Sequence, residues 1–203
     1  MKTLIKICGI RRVDDLNCAM ESGADLIGFV FAKNSPRYID PSDVASIIES
    51  TSYKLKTVAV MQHPNQSDVD QVFKYLQPTF LQTDAEDFNA LTIPREVTPI
   101  KVYRERVDLN ISSIDDNPMA LLEGSVSGSG KMVTQDLLIK ACKSKKLLIA
   151  GGLSLNNLKD TLESVRPFGV DVSSGVESSR GIKNKEKIIE FNRIVSNFDE
   201  SRL

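Results

Sequence analysis

The sequence predicts an α/β protein of the (β/α)8 type, a TIM barrel formed by residues 1–203 as one compact domain. Three observations carry this expectation. Short, β-rich apolar runs alternate with longer amphipathic stretches eight times along the chain. Several of the runs are continuously apolar, as parallel strands covered on both faces are. No G-x-G-x-x-G follows the first run, which speaks against the structural rival, a doubly wound open sheet. At 203 residues the chain is short for eight units, so the loops must be short as well.

The first strand is expected at about 4–7, inside "LIKICGI", where the apolar run ends on Cys8 and turns on Gly9. Cys18 falls in the helix that follows, and the second strand is expected at 25–31. A third run at 56–61 precedes the stripe Val69, Val72, Phe73 and Leu76, one face of a helix. Runs at 79–82 and 98–103 supply the fourth and fifth strands. The weakest unit lies between Arg104 and Asn117, where helical periodicity is poor. The sixth strand, 118–123, contains the continuous "ALL" after Met119, and Cys142 falls in the next helix. "LLIA" marks the seventh, 146–150. Leu155, Leu158, Leu162 and Val165 then step by three, four and three along one helix face, with Ser154 as the expected N-cap. After the eighth strand, 168–172, the stripe Ile188, Phe191, Val195 and Phe198 forms the last helix, capped by Asn184. No linker or low-complexity segment divides the chain.

Composition narrows the functional classes. Net charge is -1 with no long run of either sign, which argues against a nucleic acid or a membrane surface as the main partner. No run approaches the roughly 18 apolar residues of a membrane span. Lys6, Arg11 and Arg12 interrupt any signal-peptide core. Three cysteines do not make a disulfide framework, and a reducing cytoplasm is the expected compartment.

Barrels of this kind place their active sites at the C-terminal ends of the strands. Cys8 ends the first strand, where a thiol near helix N-termini can act as a thiolate; an inert buried cysteine is the alternative. "KNSPRYIDP" follows the second strand, and its Arg37 is either a solvated charge or a two-donor fork for a carboxylate. Glu123 ends the apolar sixth strand, where a carboxylate belongs only if it points into the mouth. Gly151 and Gly152 after the seventh strand, with Ser173, Ser174 and Gly175 after the eighth, offer backbone N–H groups and hydroxyls at the usual phosphate position of barrels. Tight turning alone is the other explanation of those glycines. His63, the only histidine, reads as part of an exposed turn, and a metal site is not expected without a close His/Cys/carboxylate cluster.

Four segments carry a resemblance: "KICGI" at 6–10, "GADLIGFVFAKNSPRYI" at 23–39, "AGGLSLNN" at 150–157 and "GVDVSSGVESSRGIK" at 169–183. Together they resemble the phosphoribosylanthranilate isomerase family, from end to end of the chain. The resemblance implies a cofactor-free Amadori rearrangement of N-(5-phosphoribosyl)anthranilate in tryptophan biosynthesis. It implies Cys8 as general base, Arg37 as ligand of the anthranilate carboxylate, and Asp171 and Gln82 as further substrate ligands. The glycine-serine loops take the phosphate, with Gly130 among them. The partner is then a small phosphorylated sugar-anthranilate, and the chain a monomer or a homodimer. The sequence departs from the family at three places. Glu123 stands where the family's acid, an aspartate, ends the sixth strand. Gln82-Thr83-Asp84-Ala85 replaces Gln-Leu-His-Gly, and Ser127-Gly128-Ser129-Gly130 replaces Gly-Gly-Thr-Gly. Two alternatives stay open: a related barrel acting on another aminoaldose phosphate, and a phosphate-ligand-binding barrel without turnover.

Overall fold

The computed structural model describes residues 2–125 and 132–202. In chain order the elements begin with β1 (Leu4–Cys8), α1 (Val13–Glu21), β2 (Leu26–Val30), α2 (Pro41–Glu49), β3 (Thr57–Val60), α3 (Gln66–Phe73), β4 (Phe80–Asp84) and β5 (Thr98–Arg104). They continue with β6 (Ala120–Glu123), α4 (Gln135–Cys142), β7 (Leu147–Ile149), α5 (Leu158–Val165), β8 (Gly169–Val172), the hairpin β9 (Glu177–Ser179) and β10 (Ile182–Lys183), and α6 (Lys185–Glu200). Strands β1 to β8 pair in parallel with their neighbours in sequence order, and β8 closes on β1.

The expected strands are all present, but two of the expected helices are not. Only 3-10 turns, Asp87–Asn89 and Ile111–Ser113, interrupt the β4–β5 and β5–β6 connections. After β4 the chain meets Ile93-Pro94, and the residue before a proline avoids helical geometry. After β5, short polar side chains take the backbone for themselves. Asn110 accepts from the N–H of Ser112, and Asp115 accepts from that of Asn117. These connections still close the core, since Phe88, Leu91, Leu109 and Ile111 pack against it.

Helix ends follow local chemistry. Asn184 caps α6 by accepting from the N–H of Lys187, as expected. Ser154 does not cap α5: the helix begins at Leu158, and Asn157 reaches back to accept from the N–H of Ser154. Three turn residues therefore precede the helix, though Leu158, Leu162 and Val165 form the buried stripe.

Strand side chains alternate between two cores. Ile5, Ile7, Ile27, Phe29, Leu81, Leu122, Ile149, Val170 and Val172 face the helices. Leu26, Val58, Ile100, Val102, Leu121 and Leu148 fill the barrel interior. Extending the inward set by two residues along each strand leads to the C-terminal mouth. There Cys8, Val30, Val60, Asp84, Arg104, Glu123, Ala150 and Asp171 form a ring around one cleft.

Candidate active site

Cys8 is the last inward side chain of β1 and is 7 % exposed. Room for its sulfur comes from Gly28 on β2, where a Cβ would lie 3.1 Å from Cys8 Sγ. Gly9 then turns with φ +78°, and a side chain there would meet Arg37 Cδ at 2.8 Å. The Cys-Gly pair thus serves both neighbours: the glycine lets the chain turn and lets Arg37 pass behind the thiol. Beneath Cys8, Lys6 and Asp171 form a buried ion pair at 2.8 Å. Burial pushes the Cys8 thiol up from its ordinary value, Lys6 and Lys183 pull it down, and Asp171 pushes it up. For Lys6, burial opposes the charge, but Asp171 and Cys8 hold the ammonium above its usual range.

Arg37 lines the same cleft. One edge of its fork is occupied: Nε and Nη2 donate to Glu177 Oε1 and Oε2 at 2.7 and 2.9 Å. A guanidinium presents five donors, so its Nη1 edge is left for a ligand. Glu177 was not singled out in the sequence. It lies 140 residues from Arg37, and no local pattern announces the pair.

Across the mouth, Asp84, Arg104 and Glu123 end three adjacent strands. Arg104 Nε is ion-paired with Glu123 Oε1 at 3.0 Å, and its Nη1 donates to Asp84 Oδ1. A single guanidinium thus bridges the two carboxylates. Arg104 is a site residue that sequence reasoning missed; its inward register two positions after Val102 was the available signal. Gln82 lines the cleft too, and its side-chain Oε1 is buried without a hydrogen-bond partner among the described residues.

Gly151 and Gly152 both line the cleft with positive φ, +82° and +71°, and their N–H groups find no acceptor among the described residues. Ser173 and Ser174 line it as well. Gly175 lies behind the wall. A Cβ there would sit 2.0 Å from Leu153 O, so the glycine lets the β8 loop pack on the β7 loop. Gly130 lies outside the described residues.

His63 is exposed in a turn, as expected, with φ 45°. The expectation that no cluster surrounds it is corrected: His63, Asp84 and Asp87 place ligand atoms within 4.8 Å of one another. Folding brings two loops together there, which spacing along the chain does not show. Asp84 is already paired with Arg104, and Asp87 accepts from Thr83 Oγ1 at 2.5 Å.

Fold and mouth together define a (β/α)8-barrel enzyme whose thiol, carboxylates and glycine-serine loops meet in one strand-end cleft. The family model described as N-(5'phosphoribosyl)anthranilate (PRA) isomerase matches residues 5–193, and the chain belongs to that family. An N-(5'-phosphoribosyl)anthranilate isomerase of Thiobacillus denitrificans is 34 % identical over 198 residues, spanning 94 % of this chain and 97 % of that protein. One of Dechloromonas aromatica is 34 % identical over 207 residues, spanning 99 % and 100 %. Among solved structures, the phosphoribosyl anthranilate isomerase of Thermus thermophilus superposes with a TM-score of 0.82 at 26 % identity, over 96 % of this chain and 99 % of that one. Another, solved with reduced 1-(o-carboxyphenylamino)-1-deoxyribulose 5-phosphate, gives a TM-score of 0.77 at 27 % identity over the same shares. No helix among the described residues is long and apolar enough to cross a membrane.

Proposed function

We propose that the chain isomerises N-(5'-phosphoribosyl)anthranilate to 1-(o-carboxyphenylamino)-1-deoxyribulose 5-phosphate, with Cys8 as general base and Glu123 as general acid. One observation carries the assignment of roles. Cys8 and Glu123 are the last inward side chains of β1 and β6, facing one cleft whose β7 and β8 ends carry the free backbone amides. The phosphate goes to Gly151, Gly152, Ser173 and Ser174, because unpaired N–H groups favour an anion. Arg37 takes the carboxylate on its free edge, and Gln82 and Asp171 contact the sugar between the two anionic ends.

The steps need positioned proton carriers. Glu123 gives a proton to the furanose ring oxygen, the C1–O bond breaks, and the nitrogen lone pair forms an iminium at C1. Cys8, as thiolate, takes the proton from C2. The C–H electron pair becomes the C1–C2 double bond and neutralises the iminium. The enolamine then gains a proton at C1 and loses its C2 hydroxyl proton, leaving the ketone. Glu123 is ion-paired with Arg104, so ring opening requires that pair to loosen as the carboxyl group turns to the ring oxygen. The direct test follows loss of substrate fluorescence when the purified protein meets enzymatically generated phosphoribosylanthranilate. Turnover abolished by Cys8→Ala and Glu123→Gln supports the assignment. Absence of turnover in the unaltered chain would leave a binding barrel.

A further inference from the structure

Two buried charges in the β9–β10 hairpin take no part in those steps. Lys183 Nζ lies 3.0 Å from Glu177 Oε1, and their side chains are 1 % and 4 % exposed. Burying an ion pair costs several kcal/mol per ion unless the remaining donors and acceptors are satisfied. Here they are. Glu177 accepts from Arg37 Nε and Nη2 and from the N–H of Gly181 at 3.0 Å. Lys183 donates to Ser173 O at 3.0 Å and to Ser173 Oγ at 3.3 Å. Ser173 Oγ in turn donates to Cys8 O at 3.0 Å. One chain of polar contacts thus runs from Arg37 through Glu177, Lys183 and Ser173 to Cys8.

We infer that Lys183, anchored by Glu177, is a positioning residue whose ammonium stabilises the Cys8 thiolate, while the same anchor fixes the Arg37 guanidinium. The inference deepens the proposed function, since it rests on reading Cys8 as the base and Arg37 as the carboxylate ligand. The charges bearing on Cys8 come from three strands: Lys6 on β1, Asp171 on β8 and Lys183 on β10. The fourth neighbour, Gly28 on β2, carries none. Lys6 and Asp171 are directly paired, so their effects on the sulfur oppose each other. Lys183 is paired as well, with Glu177, but its ammonium also reaches Ser173, whose hydroxyl is bonded to the Cys8 carbonyl, so the cation faces the thiol from the hairpin side. Burial sets its own ammonium below the usual range, Glu177 and Cys8 offset part of that, and Arg37 adds to it.

The test measures the rate of Cys8 carbamidomethylation by iodoacetamide against pH, by peptide mass spectrometry of the full-length chain. This reads the thiolate whether or not it is the catalytic base. An opposite charge nearby shifts a titration by about 1–3 units. Lys183→Met should therefore move the Cys8 midpoint up by about 1 unit or more, and the ascending limb of the activity–pH profile should move with it. Lys183→Arg should keep the midpoint of the unaltered chain, and Cys142 should not respond in any variant. Glu177→Gln/Lys183→Met guards against misfolding, because no buried charge of the pair is left alone; it should show a shift in the same upward direction, smaller than that of Lys183→Met. A Cys8 midpoint unmoved in both charge-removing variants overturns the inference. A moved midpoint together with full turnover in Cys8→Ser overturns the base reading and leaves the electrostatic link standing.

Discussion

Around β8, β1 and β2 the mouth rests on contacts that span most of the chain. Lys6 meets Asp171 at a separation of 165 residues, Ser173 meets Cys8 at 165, and Arg37 meets Glu177 at 140. Nearly every charged end there is buried and paired. Around β4, β5 and β6 the contacts join immediate neighbours: Asp84 to Arg104, and Arg104 to Glu123. That arc lacks α-helices in its β4–β5 and β5–β6 connections. Three of the four segments that match the family pattern closely lie on the first arc, and the departures at Gln82–Ala85 and Glu123 lie on the second. The difference has a physical reason. A buried network with many partners tolerates no single change without leaving a charge unpaired. A pairwise, partly exposed arrangement can trade a neutral partner for an Asp–Arg pair at small cost.

Loss of the buried arc's thiol should have the largest effect. Cys8→Ala is expected to lower kcat by about 10²–10⁴-fold, the usual contribution of a general base, while Cys18→Ala leaves kcat unchanged in the fluorescence assay. On the opposite arc, Glu123→Gln should remove nearly all turnover while product still binds by titration. Glu123→Asp should retain measurable activity, since a carboxyl displaced by about 1 Å costs on the order of 10²-fold when geometry is tight. Equal loss in the Asp and Gln variants would show that the second arc is as strictly fitted as the first.

Arg37→Lys comes next. A lysine cannot reproduce the planar fork toward Glu177 while reaching a ligand. KM should rise by about tenfold or more, as loss of a charge-assisted hydrogen bond worth roughly 1.5–3 kcal/mol implies, with kcat less affected. An unchanged KM would detach the arginine from substrate recognition.

A smaller, global effect belongs to pH. Burial opposes the charge of Glu177, but Arg37, Lys183 and the Gly181 amide hold it at about 2 against an ordinary 4.5. A depressed carboxylate stabilises the fold above its unfolded value, and the stabilisation is lost as pH falls toward the folded one. Urea midpoints should therefore decline between pH 4.5 and 2, with a shallower decline in Glu177→Gln. The smallest effect is expected for Asp84→Asn. Its pair with Arg104 is partly exposed and Arg104 keeps Glu123, so stability should fall by about 1 kcal/mol or less. A larger loss would give the second arc the interdependence of the first.

Much of the barrel was legible in the sequence because alternation of apolar runs and amphipathic stretches is a local property. Residues 4–8 read as a strand from their own side chains, and Cys8 and Glu123 were found because strand ends in such a barrel are where chemistry sits, while Asp171 came from the family resemblance. The glycines at 151 and 152 were legible for the same local reason. The missing helices after β4 and β5 were only half legible: poor periodicity marked Arg104–Asn117, while the stretch before β5 gave no such warning. What the sequence could not decide was direction. A strand such as Ala120–Glu123 is apolar on both faces, and Leu121 and Leu122 are equivalent until the sheet closes. Closure puts Leu121 and Glu123 inward and brings Arg104 between Asp84 and Glu123. It also sets Glu177 and Lys183 behind Arg37 and Cys8, across separations at which a sequence carries no spacing to read. Ion pairs of that kind depend on distance in space, and only the tertiary structure fixes it.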